Sequence, residues 1–185
     1  MTTYPKIVAL VIVLAVLSRA CLLAQVKPRF EKPILLTSAG QSADVTIAST
    51  LLKKAQIEST VKSLAQPADL AGIRTLVIVA GYSSKGLGAA GISRDEEMAR
   101  VKALLAAAAK AGVRVLTMHL GGAARRGNQS DDFNRVAAEA ATYLLVVKGG
   151  NEDQFFGDIA RSKKIPIDVV DKISSAVVPL QAVIP

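Results

Sequence analysis

"AGYSSKGLGAAGISRDEE", Ala80–Glu97, joins the apolar run "RTLVIVAG" (74–81) to a helix-like segment. Inside it, Gly86-Leu87-Gly88-Ala89-Ala90-Gly91 spells G-x-G-x-x-G, the letters of a dinucleotide cradle. Position decides whether that is what it is. A dinucleotide fingerprint turns at its first glycine directly after the strand, and the helix begins within the motif so that its N-terminus faces the pyrophosphate. Here Tyr82 to Lys85 separate the strand from Gly86, and Ser93 with Glu96 forms a capping box that starts the helix after the third glycine. The following apolar run ends in His119-Leu120-Gly121-Gly122, with no Asp or Glu to hold a ribose. No G-K-[ST] follows either, which excludes a P-loop. The stretch reads as a strand-to-helix loop of about ten residues, where 2–6 is usual. In such sheets, ligands bind beyond the carboxyl ends of the strands.

Working outward, strand-like and helix-like segments alternate along the chain. Strand candidates are 33–38, 57–63, 74–81, 113–120, 142–148 and 166–171, and four of the six are nearly continuous apolar runs, as strands buried on both faces require. Apolar stripes mark the helices between them: Ala48, Leu51, Leu52 and Ala55 after Ser42; Met98, Val101, Leu105 and Ala108 after the Ser93 box; Phe133, Val136, Ala137 and Ala140 after Ser130. Asn151 with Gln154 opens a last helix bearing Phe155, Phe156 and Ile159, and Gly112 closes the helix that Ser93 opens. Short right-handed returns then predict a three-layer, doubly wound α/β fold with a mainly parallel sheet of five to six strands, flavodoxin-like or Rossmann-like. The expected order is 2-1-3-4-5 with the last strand at an edge. Residues 33–172 form the single α/β domain, 25–32 a lead segment, and 173–185 an irregular C-terminal extension.

Composition narrows the class. The chain has 185 residues, 51% apolar yet only 4% aromatic and without Trp, so its core is aliphatic. Lys6 precedes eleven uncharged apolar residues, Ile7–Leu17, the length of a signal-peptide core and short for a membrane span. Residues 1–24 are read as a signal peptide of an exported protein, periplasmic or extracellular. The alternatives are a membrane anchor over residues 7–24 and lipidation at Cys21. Removing the segment takes away Lys6, Arg19 and the single cysteine, and lowers the formal net charge from +8 to +6. Scattered solvated lysines account for that balance, and no aromatic-interleaved basic patch points to nucleic acid.

On the carboxyl edge of the predicted sheet the connections gather Ser38, Gln41 and Ser42; Ser83, Ser84, Lys85, Gly86 and Gly88; Arg125, Arg126, Gln129 and Ser130; and Asn151. Several helix N-termini would point into the same crevice with free N–H groups and partial positive charge. Arginine adds a bidentate grip on carboxylate or phosphate. The constellation fits a small anionic or polar molecule, bound without a cofactor by a sensor or accessory subunit. The bland reading has Ser42, Ser130 and Asn151 merely capping helices and the arginines pairing with Asp131 and Asp132. A hydrolase or transferase would draw on His119, the only histidine, with Ser38 or Ser83 and Asp44, but no nucleophile elbow is present. His and Cys are too few for a metal site, and Asp44, Asp131 and Asp132 do not sit as an acidic pair at a strand end. A third reading is an interaction module docking a membrane partner.

At "TSAGQSAD", "SSKGLGAAGI" and "GGAARRGNQSD" the chain resembles a family of exported bacterial proteins known as a domain of unknown function. The resemblance spans residues 33 to 172 and includes a G-N-x-D-x-[FL] stretch met by Gly150 to Phe155. It implies that these loops are the family's hallmark, and it implies no activity. One departure is Ala124, where the family commonly carries an acid before the arginine pair.

Overall fold

Strands β1 (Ile34–Ala39), β3 (Thr75–Ala80) and β5 (Tyr143–Val147) are buried along their whole length, because alternate side chains enter two covered faces. With β2 (Thr60–Val61), β4 (Arg114–His119) and β6 (Ile167–Val170) they make one sheet in the computed structural model, which describes residues 27–185. Every pairing is parallel, and the order is β2-β1-β3-β4-β5-β6, the doubly wound arrangement expected from the sequence.

Among the described residues six α-helices flank the sheet: α1 (Asp44–Lys54), α2 (Ser84–Ala90), α3 (Arg94–Ala111), α4 (Asn128–Glu139), α5 (Phe155–Lys163) and α6 (Val177–Val183). On one face α1 and α6 cover Leu36, Val77, Leu116 and Tyr143. On the other, α3 and α4 cover Leu76, Ile78 and Val115, and α5 covers Leu144 and Val146. The Ser93 capping box forms as read: Ser93 Oγ accepts from Glu96 N at 3.2 Å, and Glu96 Oε2 accepts from Ser93 N at 2.7 Å. Gly112 ends α3 in the left-handed region, φ 68°.

Four expectations need correction. The Gly-rich stretch is not an open loop, because Ser84–Ala90 is helical, with Ser83 Oγ accepting from Gly86 N at its start and Gly91 left-handed at its end. The C-terminal extension is not irregular: Ile173–Ala176 forms a 3-10 turn, and α6 buries Leu180 and Val183 completely. The lead segment joins the core as well, through buried Phe30, whose N–H donates to Val183 O at 2.8 Å. Finally, α4 begins at Asn128 behind Gly127, so Ser130 lies in its first turn rather than capping it. The segments read as signal peptide or anchor, 1–24 and 7–24, lie outside the described residues. Among those residues, no helix is long and apolar enough to cross a membrane.

Candidate functional site

The crevice between β1 and β3, where a doubly wound sheet reverses its winding, is filled by the chain itself. Beyond β1 the backbone turns through Gly40 (φ 97°) and Gln41 (φ 57°), and Gln41 pairs antiparallel with Tyr82. Ser83 N donates to Gly40 O at 2.8 Å. A Cβ on Gly86 would fall 1.9 Å from Gln41 O, so α2 rests directly on this turn only because residue 86 has no side chain. Beneath it lies a buried ion pair. Glu97 Oε1 accepts from Gly40 N at 2.9 Å, Gln41 Nε2 at 2.9 Å and Arg100 Nη2 at 2.8 Å, and Glu97 Oε2 accepts from Arg100 Nε at 2.7 Å. Arg100 also donates to Ser38 O and Ala65 O. The pair is fully hydrogen-bonded, the condition under which buried charge is tolerated.

These contacts remove the first group of predicted residues from any open site. Ser38, Gln41 and Ser42 are buried; Gln41 Nε2 is spent on Ser63 O and Glu97, and Ser42 Oγ accepts from Asp44 N at 3.1 Å. Gly86 serves packing, while Gly88 faces open space. Asn151 is buried too, and its Oδ1 accepts from Phe156 N and Gly157 N at the start of α5. His119 is wholly buried, with Nδ1 3.2 Å from Ala80 O, Nε2 3.1 Å from Gly122 O and its ring 4.8 Å from that of Phe156. Burial is the main cause holding its pKa below the ordinary imidazole value, with the Arg126 charge acting in the same direction. This imidazole is a strut between strand ends, and it has no surface on which to meet a substrate.

The second and third groups do come together. Ser83, Ser84, Lys85, Arg125, Arg126, Gln129 and Ser130, with Tyr82 and Asn128, line one open cleft of about 650 Å³ between the starts of α2 and α4. The sequence reading missed Tyr82 and Asn128, although Gly127 before Asn128 was a usable helix-start signal. Ser130 Oγ accepts from Tyr82 N at 3.3 Å and ties α4 to the end of β3. Tyr82 stacks on Phe133, with centroids 6.0 Å apart. Ala124 also lines the cleft, and no Asp or Glu does.

The two adjacent arginines differ. Arg126 donates from Nε to Asp131 Oδ1 (2.7 Å), from Nη1 to Gly150 O (2.5 Å) and Asp153 Oδ1 (2.8 Å), and from Nη2 to Asp153 Oδ2 (2.8 Å) and Asp131 Oδ2 (3.3 Å). Its guanidinium also lies 4.3 Å from the Phe155 ring centroid. Those bonds raise the Arg126 pKa and hold Asp153 down to about 2. Asp132 pairs instead with Arg94. Arg125 lays its methylenes against Gly81 and Gly121 and makes only long polar contacts, Nη1 to Tyr82 O at 3.3 Å and Nε to Asp44 Oδ2 at 3.7 Å.

The all-parallel sheet, with its polar connections gathered at the carboxyl ends, defines an α/β protein of the doubly wound, flavodoxin-like class. A family model described as "Domain of unknown function (DUF6305)" matches residues 31–184, and the chain belongs to that family. The match includes α6, beyond the span that the sequence motifs suggested. No curated protein matches the chain. Among solved structures, a GDSL-like lipase from Bacteroides thetaiotaomicron VPI-5482 is similar at 12% identity and TM-score 0.36, covering 83% of this chain and 75% of the other. A Bacteroides fragilis NCTC 9343 protein named as an acylhydrolase is similar at 10% identity and TM-score 0.33, covering 77% and 71%.

Proposed function

We propose that this domain binds a small anionic molecule in the cleft between α2 and α4, as the sensing or accessory subunit of an exported system. One observation carries the reading: the charged side chains lining the cleft are Lys85, Arg125 and Arg126, with no carboxylate among them. Arg126 is saturated and acts as scaffold, so Lys85 and Arg125 are the groups left to meet a ligand. Lys85 is exposed and forms no ion pair among the described residues. Asn128, Gln129 and Ser130, whose first-turn amides have no backbone acceptor among the described residues, line the same cleft, as helix starts require. Together they supply charge and oriented N–H donors for a carboxylate or phosphate.

The test is calorimetric titration of residues 25–185 with acetate, propionate, inorganic phosphate and sulfate. Binding of at least one anion is expected, weakening as ionic strength rises. Arg125→Ala is expected to cost about tenfold in affinity, and Lys85→Ala about two- to fivefold, as suits charge-assisted and exposed contacts respectively. If none of these anions bind, or if neither substitution changes binding, the cleft is not the site.

A further inference from the structure

The Arg125 side chain occupies a slot built for something it satisfies poorly. The floor is Gly81 and Gly121 at the ends of β3 and β4, and a Cβ at Gly121 would fall 2.6 Å from Asp44 Oδ2 and 2.0 Å from Arg125 Cγ. Asp44 reaches this slot from the first turn of α1, and its Oδ2 is buried without a hydrogen-bond partner among the described residues. A buried carboxylate oxygen left unpaired is costly, and an ion pair at 3.7 Å does not replace the missing bond. The main chain here is held fast: Asn134 Nδ2 donates to Arg125 O at 3.0 Å, and Arg126 is anchored by all of its N–H groups. The polar head of Arg125, by contrast, is held by two long contacts alone, to Tyr82 O and Asp44 Oδ2.

We infer that the cleft, deepened to the buried Asp44 beneath Arg125 when that side chain swings aside, takes a small zwitterion, an ammonium adjacent to a carboxylate as in a free α-amino acid, with Asp44 receiving the ammonium and Arg125 the carboxylate. This rests on the anion-binding reading of the cleft and specifies its ligand. The ammonium donates to Asp44 Oδ2 in place of Arg125 Nε, and the released guanidinium turns about its own side-chain torsions to face the carboxylate. The exchange gives Asp44 the hydrogen bond it lacks and gives Arg125 a bidentate partner instead of two long contacts. A simple carboxylic acid supplies only half of this.

The experiment compares L-alanine with propionate by calorimetry on the full chain, and adds ethylammonium as an amine-only probe. L-Alanine is expected to bind at least tenfold more tightly than propionate, and Asp44→Asn is expected to erase that advantage. Arg125→Ala is expected to strengthen ethylammonium binding severalfold, since the guanidinium no longer competes for Asp44, and this arm decides the matter should Asp44→Asn fail to fold. Equal binding of L-alanine and propionate overturns the inference while leaving the anion cleft standing. So does an Arg125→Ala variant with unchanged ethylammonium affinity. If neither L-alanine nor propionate binds, the inference falls, while binding of phosphate or sulfate keeps the anion cleft standing.

Discussion

Arg125 and Arg126 are neighbours in the chain, and the difference between them lies in how many of their N–H groups the protein consumes. All five donors of Arg126 go to Asp131, Asp153 and Gly150 O, which locks the segment after β4 to the segment after β5. Arg126→Ala is expected to lower stability by about 1–2 kcal/mol, read from urea unfolding, because it strips partners from a network in which the guanidinium is largely buried and the Asp153 carboxylate is exposed. Lysine is not expected to rescue it, lacking the planar fork. The same bonds make a pH prediction. Asp153 is held at about 2, below its unfolded value. Its contribution is therefore complete above roughly pH 4 and is lost as the pH falls toward 2. A carboxyl-carbon NMR titration should place Asp153 near 2 in the native protein and return it to the ordinary aspartate range in Arg126→Ala. The arginine pair was visible in the sequence, and so was the pairing with Asp131. Asp153 was not, because it lies across a strand and two turns, and nothing local marks it.

Among the elements, α2 shows how glycine can conceal a helix. "SKGLGAA" carries two residues of low helical propensity, and the stretch reads as a loop on that ground. Its ends told otherwise: Ser83 caps the start, and Gly91 takes the left-handed conformation at the close, φ 68°. The two internal glycines then serve different ends. Gly86 lets the helix sit on Gln41 O, whereas nothing lies within 4 Å of a Cβ at Gly88. Gly86→Ala is expected to push α2 off the β1 turn and cost about 2–4 kcal/mol, as a forced backbone shift does. Gly88→Ala should be neutral or stabilising by up to about 1 kcal/mol, since it adds helix propensity without a clash. Urea midpoints of the two variants moving in the same direction by similar amounts would refute this account. Glu97 was hidden for a related reason. It stands beside Glu96, whose role in the capping box was plain, and only the fold brings it beneath Gly40 and Gln41.

Across the whole molecule, strand order, parallel pairing and the two-faced core were legible because each depends on apolar runs and on short returns, which are local in sequence. The boundary of the domain was not. "ISSAVVPLQAVIP" holds β-branched residues and a proline, and Pro179 argues against a helix until it is seen to lie in the first turn of α6, where its missing N–H costs nothing. That helix closes one face of the sheet beside α1, with Ala176, Leu180, Val183 and Ile184 joining the cluster around Leu36, Val77 and Tyr143. Burial of Leu180, Val183 and Ile184 contributes about 1.5–3 kcal/mol each, together on the order of 5–9 kcal/mol. This is comparable with the roughly 5–15 kcal/mol that separates a folded domain from its unfolded chain. Ending the protein at Lys172 should therefore abolish cooperative unfolding and leave a chain cut rapidly by protease at 25 °C, while the protein extending to Pro185 resists it. A truncated chain that kept a sharp thermal transition within a few degrees of the full one would mean that α6 is an ornament on the sheet, and that the core closes without it.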